Sequence, residues 1–151
     1  MANNIQSQIN ISMPNLINLC VNETDHGEIK GELYHCYTKE PVLFSNVIEL
    51  LTAAETLFDT LRFPEASTRT RRFVGVEETQ MPTARPPKVV DQTEVIEHRG
   101  KIASFILCVQ FRQNSTWQGE VIWLERGIRK RFSNTLNFIK ILDSVINIIE
   151  H

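Results

Sequence analysis

Two stretches of the chain, 16–22 and 104–110, are dense in Ile, Leu, Val and Phe and read as strands. Each is followed by a polar stretch that turns the chain, 23–27 and 112–115, and then by a returning strand, 28–37 and 116–125. Period two sets Ile29, Gly31, Leu33 and His35 on one face of the first returning strand, and Trp117, Gly119, Val121 and Trp123 on one face of the second. That face is expected to meet helices. Turns at 38–41 and at Arg126-Gly127 lead into short third strands, 42–44 and 128–132. The period then changes to 3.6. Ile48, Leu51, Ala54, Leu57, Phe58 and Leu61 form one apolar stripe, and Leu136, Ile139, Leu142, Val145, Ile146 and Ile149 form another at the same spacing. Asn46 followed by Glu49 has the form of a capping box, and Asn134 is the matching cap, with Asn137 in place of the Glu.

The two series coincide when the chain is slid along itself by 88 residues. Ile17 to Asn22 falls on Phe105 to Gln110, Gly31-Glu32-Leu33 on Gly119-Glu120-Val121, and Phe44-Ser45-Asn46 on Phe132-Ser133-Asn134, with no gap. The expected fold is α+β: two pseudo-symmetric β-β-(β)-α repeats forming a mostly antiparallel sheet with two helices on one face. A unit of about 50 residues cannot bury a sheet face and a helix stripe alone, whereas two such units close over a shared core. The chain reads as one domain, 1–151, made of repeat one (12–63), a connector (64–100) and repeat two (101–151). Within the connector, 73–76 and Val89-Val90 are expected as short edge strands.

Composition narrows the class. The 151 residues are 42% hydrophobic, enough for a core without disulfide or metal. Cys20, Cys36 and Cys108 are an odd number at wide spacing and read as buried free thiols. The opening residues lack the basic and apolar regions of a signal peptide, and no run reaches the ~20 apolar residues of a membrane span, so a cytoplasmic protein is expected, with no membrane partner. The net charge of −2 is unevenly distributed. Residues 1–63 hold three Lys/Arg against eight Asp/Glu, 64–100 hold six against six, and 101–151 hold seven against four. The halves are oppositely charged, which favours their pairing within one chain or between two and gives no overall basic field for nucleic acid.

Candidate chemistry is sparse. There is no GxSxG elbow, no Cys/His signature, no metal-ligand spacing and no glycine-rich phosphate loop, so no enzyme, metal or cofactor is expected. His35 occupies the place of Trp123 and is expected to be half-buried and structural. Arg69, Arg71 and Arg72 could grip a phosphate bidentately, and Arg129, Lys130 and Arg131 add a second basic run. Leu50, Phe138, Ile141 and Ile148 are surplus apolar helix positions that widen the stripes, and Leu50 and Phe138, with Arg112 and Trp117 of the hairpin, are expected on an interaction surface.

Asn114-Ser115-Thr116-Trp117-Gln118-Gly119 is similar to the N-x-S/T-x-x-G hairpin of PilZ domains, which bind a cyclic dinucleotide through an Arg-rich loop. The chain departs from that pattern: Thr116 stands where Ser is usual, Arg69 to Arg72 is RxxR in place of RxxxR, and the loop lies far from the hairpin. The last third more closely resembles small uncharacterised bacterial proteins in which RQN-x-TWQG (here Arg112 to Gly119) precedes F-x-S/N-x-L (here Phe132 to Leu136) and an amphipathic C-terminal helix. That resemblance implies no activity. The expectation is a non-enzymatic binding or assembly module that engages a protein partner or itself, as a homodimer. The alternative is a binder of a nucleotide or other phosphorylated small molecule through the Arg-rich connector.

Overall fold

The computed structural model describes residues 9, 11–63, 86–113 and 116–150. Among the described residues, six strands and three helices follow one another as β1 (Ile17–Asp25), β2 (Glu28–Tyr34), β3 (Val42–Phe44), α1 (Val47–Leu61), α2 (Gln92–Val95), β4 (Ala103–Gln113), β5 (Thr116–Trp123), β6 (Ile128–Phe132) and α3 (Thr135–Glu150). The strands form one sheet, order β3-β2-β1-β4-β5-β6, antiparallel at every pairing. The expected α+β class is the observed one.

Pairing explains why the strands outrun the apolar pattern. Beyond an irregularity between Val21 and Glu23, the polar residues Glu23, Thr24 and Asp25 still pair with Lys30, Ile29 and Glu28. His26 (φ 55) and Gly27 (φ 86) then close a two-residue turn in the left-handed region, where strand twist is best matched. β4 likewise continues past an irregularity between Val109 and Phe111, pairing Arg112 with Trp117 and Gln113 with Thr116. Each β1–β2 pair recurs in β4–β5 at an offset of 88: Leu19↔Leu33 and Leu107↔Val121, Val21↔Gly31 and Val109↔Gly119, Thr24↔Ile29 and Arg112↔Trp117. At each irregularity the partner must be glycine, since a Cβ on Gly31 or Gly119 would collide with the carbonyl oxygen of Cys20 or Cys108.

The main core lies between one sheet face and the long helices. Ile17, Leu19 and Val21 of β1, Phe105, Leu107 and Val109 of β4, and Trp117 and Val121 of β5 meet Leu50, Ala54, Phe58 and Leu61 of α1 and Phe138, Leu142 and Ile146 of α3. Ala54, Leu57, Phe58 and Leu61 of the first expected stripe and Leu142, Val145 and Ile146 of the second lie in this core, and the first turn of each helix is where the stripe differs. Leu50 and Phe138 are fully buried, whereas Ile48 and Leu136, which occupy matching positions, are 70% and 60% exposed. The caps fix this phase. Asn46 Oδ1 accepts from Glu49 N at 2.8 Å and Glu49 Oε1 from Ser45 N at 2.8 Å; Asn134 Oδ1 accepts from Asn137 N at 2.7 Å and Asn137 Oδ1 from Ser133 N at 3.2 Å. Asn137 does the work of Glu49.

The opposite face carries a second apolar cluster, Leu16, Ile106, Cys108 and Ile122 with Met13, Cys36, Val95 and Ile96 laid over it. This is why β1 and β4 are apolar on both sides. Polar side chains anchor the cover: Asn18 Nδ2 donates to the carbonyls of Val95 and His98, both at 2.9 Å, and Gln92 Nε2 to that of Met13 at 2.8 Å. Val89 and Val90 form no edge strand, because both amides converge on the single carbonyl of Cys36. The other expected connector strand, 73–76, lies outside the described residues.

Candidate binding groove

The expected interaction surface at Arg112, Trp117, Leu50 and Phe138 is interior in this fold. Arg112 is 5% exposed, and its Nη1 reaches Glu55 Oε1 and Asp59 Oδ1 of α1, both at 2.8 Å. Trp117 donates its indole N–H to the other oxygen of Glu55 and packs edge-on to Phe58 at 5.4 Å and tilted against Phe138 at 5.7 Å. The guanidinium also lies 5.6 Å above the Phe58 ring. Arg112 and Trp117 thus join α1 of the acidic half to the β4–β5 hairpin of the basic half, where the opposite charges of the halves meet.

The basic residues divide three ways. Arg69, Arg71 and Arg72 lie outside the described residues. Arg129 and Arg131 share one face of β6 and pair with Glu120 of β5 at 3.4 and 3.3 Å. Lys130, between them, projects to the helix side, as strand alternation requires. There it lines a groove of about 490 Å³ between α3 and β4–β5–β6.

Phe105, Val121 and Trp123 form the floor of this groove; Ile128 and Lys130 on β6 and Lys140, Ile141, Ser144, Val145 and Ile148 on α3 form its walls. Trp117 N donates to Thr135 Oγ1 at 3.0 Å, which ties the start of α3 to the Trp117 end of β5. Only Ser133 and Asn134 separate β6 from α3, so the helix doubles back along the strand. Both walls accordingly pass from lysine to isoleucine in the same direction, Lys130 to Ile128 on the strand and Lys140 to Ile148 on the helix. Among the described residues neither lysine makes an ion pair. Ile128 and Ile148 are 39% and 54% exposed, an apolar mouth opposite the cationic end. Trp123 keeps its Nε1–H buried without an acceptor, in contrast to Trp117, while the Arg126 guanidinium lies 5.0 Å over its ring.

Nothing elsewhere in the described residues is arranged for nucleophilic or metal chemistry. Burial pushes the thiols of Cys20 and Cys108 up to about 12, and raises that of Cys36. Ser104 Oγ donates to Glu125 Oε2 and accepts from Gly100 N, at 2.8 and 2.7 Å, as a structural bridge. No three His, Cys, Asp or Glu side chains among the described residues cluster as metal ligands, and no helix there is long and apolar enough to cross a membrane. His35 is half-buried and accepts at Nδ1 from Tyr37 N at 3.1 Å; burial holds its pKa below the ordinary histidine value. No family model, curated protein or solved structure matches the chain.

Lys140, Ser144 and Ile128 escaped the sequence reading, whereas Ile141 and Ile148 stood among the surplus apolar helix positions. Their signal was present: Lys140, Ser144 and Ile148 stand four apart on one helix line, and Lys130 alternates against Arg129 and Arg131. What period alone does not give is the separation of helix from sheet at that end.

Proposed function

We propose that the protein is a non-enzymatic binding module built from one unit used twice, and that the second unit holds a small amphipathic anion in the groove beneath α3. The observation that carries this is the pair of unpaired lysines set at one end of an apolar trough. A volume of about 490 Å³ with an apolar lining and few polar groups is of the kind that takes small ligands. Lys130 belongs to the second basic run expected to bind an anion, and this reading rests on it and not on the connector arginines, which lie outside the described residues.

The test uses 8-anilinonaphthalene-1-sulfonate, which is apolar and anionic, with the full chain. One dye should bind per chain, and at a hundred times its Kd it should stabilise the fold by about 2.7 kcal/mol. Lys130→Glu with Lys140→Glu should abolish binding, whereas Thr52→Glu, at the position in the first half that matches Lys140, should leave it unchanged. Dye binding indifferent to the double substitution removes this reading.

Self-association is the second reading, favoured by Ile48 and Leu136, exposed at matching positions of the two long helices. Light scattering decides it: a dimer that Ile48→Glu and Leu136→Glu dissociate supports it, and a monomer at all concentrations ends it.

A further inference from the structure

We infer that the occupant of the groove is a free, single-chain aliphatic carboxylate, bound with its head between Lys130 and Lys140 and its tail running toward Ile128 and Ile148. This deepens the binding reading above and rests on it. Three features of the lining choose this ligand among amphipathic anions.

The first is the nature of the cations. Two lysines supply point charges, not the planar forks with which arginine clasps a phosphate, and the arginines nearest them, Arg129 and Arg131, are engaged by Glu120 on the opposite sheet face. Lys140 lies in the second turn of α3, beyond the free amides that would add an anion site for phosphate oxygens. A singly charged head needs no more than the two ammonium groups.

The second is the shortage of partners for a base or sugar. The uncharged hydrogen-bonding side chains of the lining are Ser144 on the walls and the indole N–H of Trp123, buried in the floor, and no Asn, Gln, Asp or Glu is present to read a ring edge. A nucleotide bound there would leave most of its polar groups buried and unpaired, at a cost per group that defeats binding. An alkyl chain has none to satisfy.

The third is direction. Lys140, Ser144 and Ile148 occupy one helix line, so polarity falls off over about 12 Å from the ammonium to the mouth. The strand wall falls off in the same sense from Lys130 to Ile128. Ile128 and Ile148, large apolar side chains exposed to solvent, are the ones a tail would cover.

The experiment is titration of the full chain with straight-chain carboxylates from six to sixteen carbons, held below their micelle-forming concentrations, followed by calorimetry and Trp fluorescence. Affinity should rise about fourfold per methylene and then level off once the trough is filled. The matching alcohols should bind at least tenfold more weakly, and Lys130→Ala with Lys140→Ala should erase that preference while retaining the dependence on chain length. Ile148→Ser should do the reverse, flattening the chain-length dependence with the carboxylate preference intact.

Affinity that ignores chain length, tighter binding of nucleoside monophosphates, or adsorption to anionic phospholipid vesicles in place of one-to-one binding would each overturn the inference. The naphthalene sulfonate separates the two levels of failure. Dye that binds at the lysines but is displaced by no carboxylate ends the choice of ligand alone; no dye binding at the lysines ends the site.

Discussion

The two halves of the sheet make the same backbone pairs 88 residues apart, and the Lys130–Lys140 groove lies under the helix of the second, on residues the first half does not share. Where α3 presents Lys140, Ser144 and Ile148, α1 presents Thr52, Thr56 and Thr60, and Thr60 spends its hydroxyl on the carbonyl of Thr56 at 2.9 Å. Where β6 presents Ile128 and Lys130, the first half has Glu40 and Val42, and where β5 ends in Trp123 the first half has His35. Positions that set the geometry agree: Gly31 with Gly119, Cys20 with Cys108, Asn46 with Asn134. The halves therefore separate residues that build the frame from residues free to carry a ligand, and the groove sets walls of the second kind over a floor that includes the core residues Phe105 and Val121.

The largest effect tests the shared frame. Gly31→Ala and Gly119→Ala should each cost at least about 4 kcal/mol or prevent folding, because a carbonyl oxygen occupies the place of the new Cβ. Denaturant melts of the two variants side by side measure this, and a loss below about 1 kcal/mol in one of them would show that the halves do not share the constraint. Next comes a position where the halves differ. Arg112→Ala leaves Glu55 and Asp59 facing each other and should cost about 2 kcal/mol, less than for a fully enclosed pair because Asp59 is 69% exposed. Thr24, its counterpart in the first half, should lose about 1 kcal/mol or less on conversion to Ala. Equal losses would deny the Arg112 cluster its special role.

The smallest effect is on pH. The folded-state pKa of His35 lies below that of the unfolded chain, so the unfolded chain gains more protons as pH falls. The stability this site contributes is complete above about pH 6.5 and is lost as the pH drops below it. Melts at pH 7.5 and 5.5 should show a smaller decline for His35→Gln than for the unaltered chain. Trp123, at the matching position, has nothing to titrate, so Trp123→Phe should leave the decline as it was.

Much of the fold was legible because it rests on local periods. Alternation marked the returning strands, the Asn caps marked both helix starts, and the coincidence at 88 residues linked the halves. The misreadings arose where a tertiary contact decided. Ile48 and Leu136 look like stripe residues, but the cap sets a helix phase that turns Leu50 and Phe138 inward in their place. Arg112 and Trp117 look like a hairpin surface until α1, more than fifty residues earlier, lays Glu55 across both. Of the site, Lys130 and the surplus apolar positions Ile141 and Ile148 were singled out separately and their meeting was not, since a groove belongs to the distance between two elements.

The order of the strands has a kinetic consequence. β1 and β2 are joined by a two-residue turn, and β5 follows β4 as closely, whereas the central β1–β4 ladder pairs residues such as Ile17 and Leu107 that are distant along the chain. Closing that long loop is entropically the most demanding step, so the two hairpins are expected to form early and dock late. The contact of Arg112 with α1 then belongs to the docking step. In stopped-flow measurements Arg112→Ala should hasten unfolding and leave the folding rate nearly unchanged; a slowed folding limb would place that contact before docking.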